Sequence, residues 1–438
     1  MTKEEKYALA VMVIDHALKS GAQEVSVSID ENRSNEIEIR DKKIDKLLES
    51  NSLGLTVSLY VDRKYSSHST NRMKKDELIR FIEEAVTGTR FLAEDQFRKL
   101  PEPELYYKGG GTDPGKLDKT LDTIDTRTKI DMATAVHDEA FGKDERIISV
   151  SAYYSDNIYN KVLVTSNGFK GDSEGGNVYL SAGVSMKGKT SRPSDSWSET
   201  SIFIDKLTKS GIGSKALQRT INKLDPVKIK SGKYPMVVEN RVVMNLLSPV
   251  YNALSGYSIY QKESFLAGKI DKPVGSKLLT LADDPSIPSS PGSRLFDDEG
   301  LAATKRNIFE DGLLRNYYID TYYGRKLNIK PTSGSASNVI MNLGTRDAAG
   351  LVSTLKKGIF VTGFNGGNCN GSTGDFSYGI EGYYVENGKI IHPVNEMNIT
   401  GNMNQVFFNL VETGNDPRKG RSFMIPSLLF DNIDFSGI

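Results

Sequence analysis

LGLTVSLYV, residues 53–61, decides the fold class of the first half of this chain. Leu53, Leu55, Val57, Leu59 and Val61 alternate with small or polar residues. A period of two places all five on one face of an extended chain, as in a half-buried antiparallel strand with one solvated face. Val25, Val27 and Ile29 alternate in the same way, as do Ile37 and Ile39, which predicts two further strands. Before them, residues 2–20 predict a helix. Thr2 and Glu5 have capping-box spacing, Tyr7, Val11, Ile14 and Leu18 fall on one face, and Gly21 stops it. Leu78, Ile82 and Val86 place another helix near 75–94. The fold class expected is α+β: an N-terminal antiparallel sheet backed by long helices in a two-layer sandwich.

Further along, PEPELYYKGGGTDPG (101–115) reads as a Pro/Gly linker. A long helix is expected at about 115–142, with Leu117, Leu121, Ile124, Met132, Val136 and Ala140 on its apolar face. Strands follow at 146–155, 158–166 and 176–188, with Asn167-Gly168 as a tight turn. GKTSRPSDSWS (188–198) reads as a mobile loop carrying the one tryptophan, Trp197, and a helix is expected near 213–224. The main boundary falls at 226–235. It divides an N-terminal α+β domain (1–229, subdivided near 101–115) from a C-terminal, mostly-β domain (230–438). In the latter we expect a strand at 235–239, a helix at 240–254, then strands and turns. Glu386-Asn387-Gly388-Lys389 is a strong hairpin signal, and MIPSLLFDNIDFSGI (424–438) a closing strand.

Composition narrows the function classes. The chain has 438 residues, with 38% hydrophobic and 26% charged, as in a soluble globular protein of two or three domains. Lys+Arg and Asp+Glu both number 56, and no long basic run is present, so neither nucleic acid nor an anionic membrane is an expected partner. A single cysteine, Cys369, forbids an intramolecular disulfide. With no signal-peptide core and no apolar stretch approaching the ~20 residues of a span, the expected location is cytoplasmic.

The residues show no catalytic centre by themselves. The four histidines, His16, His68, His137 and His392, have no H-E-x-x-H spacing. His137 reads as part of a solvated helix face. The acidic runs Asp283-Asp284 and Asp297-Asp298-Glu299 read as solvated turns rather than cation sites. Cys369, in GGNCNGS, with His392 a hairpin away, would make a thiol hydrolase if the histidine lowered the thiol pKa. The glycine-dense stretch 363–391, GFNGGNCNGSTGDFSYGIEGYYVENGKII, reads either as a set of turns or as a binding wall of main-chain groups.

Four stretches carry a resemblance: 256–285, 293–327 (with RLFDDEG), 372–403 (with TGDFSYG and ENGKI) and 411–437 (with GND). In order and spacing the chain resembles the TldD/PmbA family, once called modulators of DNA gyrase and classed as metallopeptidases (peptidase U62-like). The resemblance implies two kinds of subunit. The TldD kind carries H-E-x-x-x-H on a helix and a cysteine ligand near its C-terminus. Here the matching helix, RVVMNLLSPVYNALSG (241–256), has no histidine, and Glu239 precedes it. The matching C-terminal stretch, RKGRSFMIPS (418–427), has no cysteine. The resemblance therefore implies a PmbA/TldE-like subunit with no catalytic or metal residues of its own. It would support proteolysis by a zinc-bearing TldD-type partner in a heterodimer, or form a homodimer, and act on peptides or unfolded polypeptides. Gly374, Asp375, Tyr378, Asn387 and Gly388 become the expected substrate-facing or partner-facing wall. A non-enzymatic regulator of the gyrase-modulator type is the alternative from another class.

Overall fold

The computed structural model describes residues 1–438. In the first half the elements run α1 (Lys3–Lys19), β1 (Glu24–Arg40), β2 (Lys43–Val61), β3 (Lys64–Thr70), α2 (Lys75–Thr89), α3 (Thr126–Asp138), β4 (Ile147–Thr165), β5 (Lys170–Met186), β6 (Ser194–Ser201) and α4 (Ile212–Asn222). The six strands form one antiparallel sheet, ordered β3-β2-β1-β4-β5-β6. All four helices pack on one face. α1 and α2 cover Val25, Val27, Ile29, Leu55, Val57 and Leu59, while α3 and α4 cover Ile37, Ile39, Val150, Ala152 and Leu180. A buried polar seam separates the two cores. Lys6 pairs with Glu31 at 2.7 Å and Lys129 with Asp156 at 2.8 Å. Asn35 and the Tyr154 hydroxyl donate to the same Asp156 carboxylate at 2.9 and 2.7 Å. The other face of the sheet, away from the helices, is lined by hydroxyls and amides, among them Ser26, Ser28, Asn32, Ser34, Asn157, Tyr159, Asn177, Tyr179 and Thr200.

The α+β class and the capped first helix hold, but several local expectations change. The buried face of α1 is Ala10, Val13, Ile14 and Ala17, whereas Val11 and Leu18 are 44% and 38% exposed. Alanines let the helix lie close to the sheet, and the Lys6–Glu31 pair fixes its rotation. The two strands expected around 25–39 are one continuous strand, as are those at 146–155 and 158–166. β1 and β4 pair without interruption from Ser26↔Thr165 to Arg40↔Ser151, carrying the polar seam midway. The long helix expected at 115–142 begins only at Thr126. Asp125 caps it by accepting from Thr128 N at 2.8 Å, and Leu121–Thr123 is a separate 3₁₀ turn. The segment 194–201 is an edge strand rather than a loop. Lys215, Arg219, Arg241 and Arg418 surround the Trp197 ring, and Asp195 pairs with Arg219 and Lys223 at 3.0 Å. Residues 101–115 are no free tether: Tyr106 bridges Leu301 and Tyr107 N donates to Gly300 O, which straps the second half to the first.

The second half continues with β7 (Gly232–Val238), α5 (Met244–Ala253), α6 (Gly256–Tyr260), β8 (Leu281–Asp283), β9 (Arg306–Glu310), β10 (Leu313–Leu314), α7 (Thr321–Leu327), β11 (Val339–Met341), α8 (Ala348–Ser353), β12 (Lys357–Cys369), β13 (Asp375–Glu386), β14 (Lys389–Asn402), α9 (Met403–Val406), β15 (Leu410–Thr413), β16 (Phe423–Met424) and β17 (Leu428–Ser436). One sheet runs β14-β13-β12-β7-β17-β15, and β17 also pairs with β14 through Asn398↔Ser436 to Thr400↔Asp434. That second pairing closes five strands into a barrel and removes their edges where it holds. The closing strand expected at the C-terminus is therefore the stave that shuts the barrel. A smaller sheet, β10-β9-β8-β11-β16, packs beside it around a shared core that includes Met236, Val238, Phe309, Tyr318, Ile359 and Phe430. No helix is long and apolar enough to cross a membrane.

Candidate functional site

α5 leads into the site from its buried side. Leu246, Leu247, Val250 and Ala253 point into the core of the second half, where Tyr251 packs its ring 4.8 Å from Tyr318 and 5.3 Å from Phe423. Beyond α5 the chain turns into α6, capped by Ser255, whose hydroxyl accepts from Ser258 N. Here Asn252, Ser255, Tyr257, Ser258 and Glu263 face the β12–β13 loop, residues Asn370–Ser372, across a polar cavity of about 540 Å³. Phe265 N donates to Gly371 O at 2.8 Å and ties the two walls together.

The loop wall is built by β12 and β13. β7 accompanies β12 only as far as Val361, whose carbonyl accepts from Glu239 N at 3.0 Å. Beyond that rung Phe364–Cys369 pair with β13 on one side and with no strand on the other. Asn365–Asn368 are exposed. The β12–β13 register shifts between Val361 and Gly363 and again between Asn365 and Gly367. Glycine is required at these bends. A Cβ on Gly367 (φ 94°) would lie 2.0 Å from Ser377 O, and one on Gly382 would lie 2.0 Å from Phe360 O. The glycine density of 363–382 thus follows from bending a barrel strand, a reading neither turn nor wall alone anticipates.

Of the five residues expected on the wall, three gather at the loop end. Gly374 (φ 83°) is buried, and its carbonyl accepts from Met403 N at 2.7 Å. Asp375 accepts from Asn402 Nδ2 and Thr373 Oγ1, both at 2.7 Å, and these bonds hold its carboxyl below the usual range. Tyr378 stacks on Phe376, and burial pushes its hydroxyl up to about 12. Asn387 and Gly388 are not with them. They form the tight turn at the far end of the hairpin, with N–H groups bonded to Lys356 O and Leu355 O at 2.8 Å, roughly 40 Å along the strand.

The same separation removes the thiol-hydrolase alternative. Cys369 pairs across the ladder with Phe376, whereas His392 pairs with Tyr384, eight residues further along β13. Burial and Asp375 raise the Cys369 thiol pKa, the wrong direction for a nucleophile. His137, expected on a solvated face, is fully buried. Its Nδ1 lies 2.9 Å from Asp138, and its Nε2 accepts from Lys42 N.

Apart from the exposed Asp298, the acidic runs are not solvated turns either. Asp283 is buried against Arg306 and accepts from Ser337 N at 2.8 Å, and Asp284 holds Ser286 and Lys305. Asp297 is buried and accepts from the Glu299 and Leu301 amides. Glu299 holds the first residue of α7, accepting from Thr321 N at 2.9 Å and from its hydroxyl. Burial pushes its carboxyl up to about 7, against the opposing pull of those bonds and with help from Asp297 and Asp320. α7 in turn grips the first half: Tyr322 donates to Asp95 at 2.6 Å, and Arg325 to the carbonyls of Lys99 and Leu100 at 2.8 and 2.6 Å.

Sequence reasoning missed the polar residues at the α5–α6 corner, Asn252, Ser255, Tyr257 and Glu263. The available signal was a run of polar residues at the end of an otherwise apolar helix. Metal fits poorly here. No three His, Cys, Asp or Glu side chains stand close enough to hold an ion, and the inward face of α5 is aliphatic.

Residues 25–88, 119–224 and 231–437 match the profiles of domain 1, the central domain and the C-terminal domain of PmbA/TldA metallopeptidases. The chain is 26% identical to the metalloprotease PmbA homolog of Haemophilus influenzae, covering 99% of this chain and 97% of that protein. It is 26% identical to metalloprotease PmbA of Escherichia coli O157:H7, over 88% and 86% of the two. A crystal structure from Bacteroides thetaiotaomicron, described as a candidate modulator of DNA gyrase, superposes with a TM-score of 0.98 at 45% identity over the full length of both chains. TldE from Thermococcus kodakarensis shares the fold, with a TM-score of 0.88 at 19% identity over 98% of this chain and 100% of that one. With all three profiles matched in order and full-length likeness at 45% identity, this chain belongs to the PmbA/TldD metallopeptidase family.

Proposed function

We propose that this chain is the TldE-like, non-zinc subunit of a cytosolic peptidase, acting with a zinc-bearing TldD-type chain on peptides or unfolded polypeptides. The observation that carries the reading is α5. In a chain matched throughout to a metallopeptidase family, this helix turns leucine and valine inward and offers no ligand. Zinc-activated water would attack the peptide carbonyl on the partner's residues. This chain's contribution is substrate capture. The open side of Phe364–Cys369 presents main-chain donors and acceptors to an extended peptide, and strand addition of this kind is indifferent to sequence. The likeness of this chain to a TldD homolog from Haemophilus influenzae, 26% identical over 64% of this chain and 63% of that protein, is consistent with two related subunits sharing one chamber.

The test is metal analysis and a peptidase assay on the purified chain, alone and mixed with a TldD-type partner. Activity is expected only in the mixture, with zinc on the partner. Stoichiometric zinc and turnover in the lone chain would sink the proposal. Salt-dependent DNA binding at micromolar concentration would instead favour a regulator of the gyrase-modulator kind.

A further inference from the structure

Where β6 ends, a second cavity opens at the junction of the two halves. It has a volume of about 280 Å³ and is bounded by β4 and β5 of the first sheet, the 116 segment, Pro291 and the 420–422 loop. The 116 segment takes over as the neighbour of β5 at this point, with Gly176 N donating to Lys116 O at 2.9 Å. The 420–422 loop is packed hard against β6: a Cβ on Gly420 would lie 2.3 Å from Thr200 O, and Arg418 donates to Ser198 O. The cavity is thus framed by backbone on both sides.

Its lining is charged with one sign. Lys116 and Arg421 both reach it, no acidic side chain lines it, and neither cation forms an ion pair anywhere in the molecule. Lys116 Nζ donates to the Tyr159 hydroxyl at 3.1 Å, which aims it over the sheet. Asn177, Thr200 and Ser422 add neutral polar groups. Arg418 stands nearby; burial first, then Arg421 and Arg241, lower its pKa against the opposing pull of Glu199 and Glu239. Three cations beside Trp197 and Asp195 differ: Arg219, Lys223 and Arg241 each meet a carboxylate.

We propose that this cavity binds a carboxylate, namely the free C-terminal end of a captured peptide, between Arg421 and Lys116. The guanidinium plane matches a carboxylate bidentately, while the ammonium acts as a point charge. A volume at the lower end of ligand pockets admits a terminal residue and excludes a large cofactor. Thr200 and Asn177 lie on the hydroxyl-lined face of the sheet, so the residues just before the chain end would leave the cavity over that face, a contact additional to the strand edge at Phe364–Cys369. The proposal rests on the peptide-binding reading above and adds a polarity to it: the chain end is recognised as well as the backbone.

The test is fluorescence anisotropy on the full chain. The probe is an N-terminally labelled pentapeptide of Ala, Leu and Ser, as the free acid and as the C-terminal amide. Charge-assisted hydrogen bonds predict that the acid binds about 10- to 100-fold more tightly. Arg421→Gln and Lys116→Gln, which lie on separate segments and are each checked for unchanged melting, should each reduce that preference. An amidated peptide with a terminal Glu regains affinity if a side-chain carboxylate serves as well. Equal binding of acid and amide, or a preference that survives both substitutions, overturns the carboxylate site and leaves peptide capture standing. Binding of neither peptide removes both proposals together. Competition by inorganic phosphate far below the concentration at which acetate competes would reassign the site to phosphate and overturn it.

Discussion

The first sheet and the barrel solve the same problem with opposite sequences. β1 pairs with β2 and β4 over nearly its whole length, with a single shift at Glu38/Ile39. The β12–β13 ladder shifts twice within a shorter span and is bent at glycines that touch facing carbonyls. An open sheet with one face on helices can stay straight, whereas strands that must close on themselves need bulges and residues without side chains. A high glycine count in a strand therefore signals curvature first, and a ligand only where the bent strand loses its neighbour, as β12 does beyond Val361. The straight sheet hides its own irregularity inside: the charged seam beneath α1 and α3.

That contrast can be broken at four places, from the largest effect to the smallest. Asp156→Ala removes the partner of a buried Lys129. It should destabilise the first half by about 3–5 kcal/mol in urea melts, and a loss under 1 kcal/mol would mean the seam is not load-carrying. The joint between the regions is next. Glu299 has a folded pKa raised above its unfolded value, so it stays protonated in the fold while the unfolded chain ionises. Stability is then lost as pH rises from about 4.5 through about 7, by up to roughly 3 kcal/mol. Glu299→Gln should flatten that dependence and raise Tm at pH 8. An unchanged pH profile would show that the carboxyl is already ionised in the fold.

Third, Gly382→Ala forces a Cβ against Phe360 O. It should cost about 1–3 kcal/mol, read as earlier unfolding of the barrel, with the first sheet's amide exchange unaffected. Gly54→Ala is the matched control on the straight sheet. It has ordinary φ and nothing within 4 Å of the added Cβ, so it should be neutral or stabilising by up to about 1 kcal/mol. If both glycine substitutions cost the same, curvature is not what distinguishes the two regions.

The outline of the first sheet was legible because alternation reports burial on one face directly. Leu55, Val57, Leu59 and Val61 are all fully buried, and the capping box at Thr2 and Glu5 forms both of its bonds. The Asn387-Gly388 hairpin was legible for a similar reason, since both residues adopt the positive φ that the turn requires. Of the candidate site the sequence marked only the glycine-dense stretch that holds its Asn370–Ser372 wall; Gly374, Asp375 and Tyr378, the residues singled out there, follow that wall without lining the cavity. The opposite wall, Asn252 to Glu263, lies more than a hundred residues away in the chain and meets the loop only when the barrel has folded.

Local patterns along the chain specify the α+β class, the strand faces, the turn positions and the absence of zinc-motif spacing, because each depends on neighbours a few residues apart. Tertiary structure alone decided the rest. It buried Asp283 against Arg306 and Ser337 and His137 beneath Lys42, moved Cys369 and His392 to different ends of a hairpin, and brought Lys116 and Arg421 to one cavity with no acidic side chain in its lining. Burial and pairing of charge depend on which surfaces meet across the fold, and side-chain identity along the chain carries no record of that.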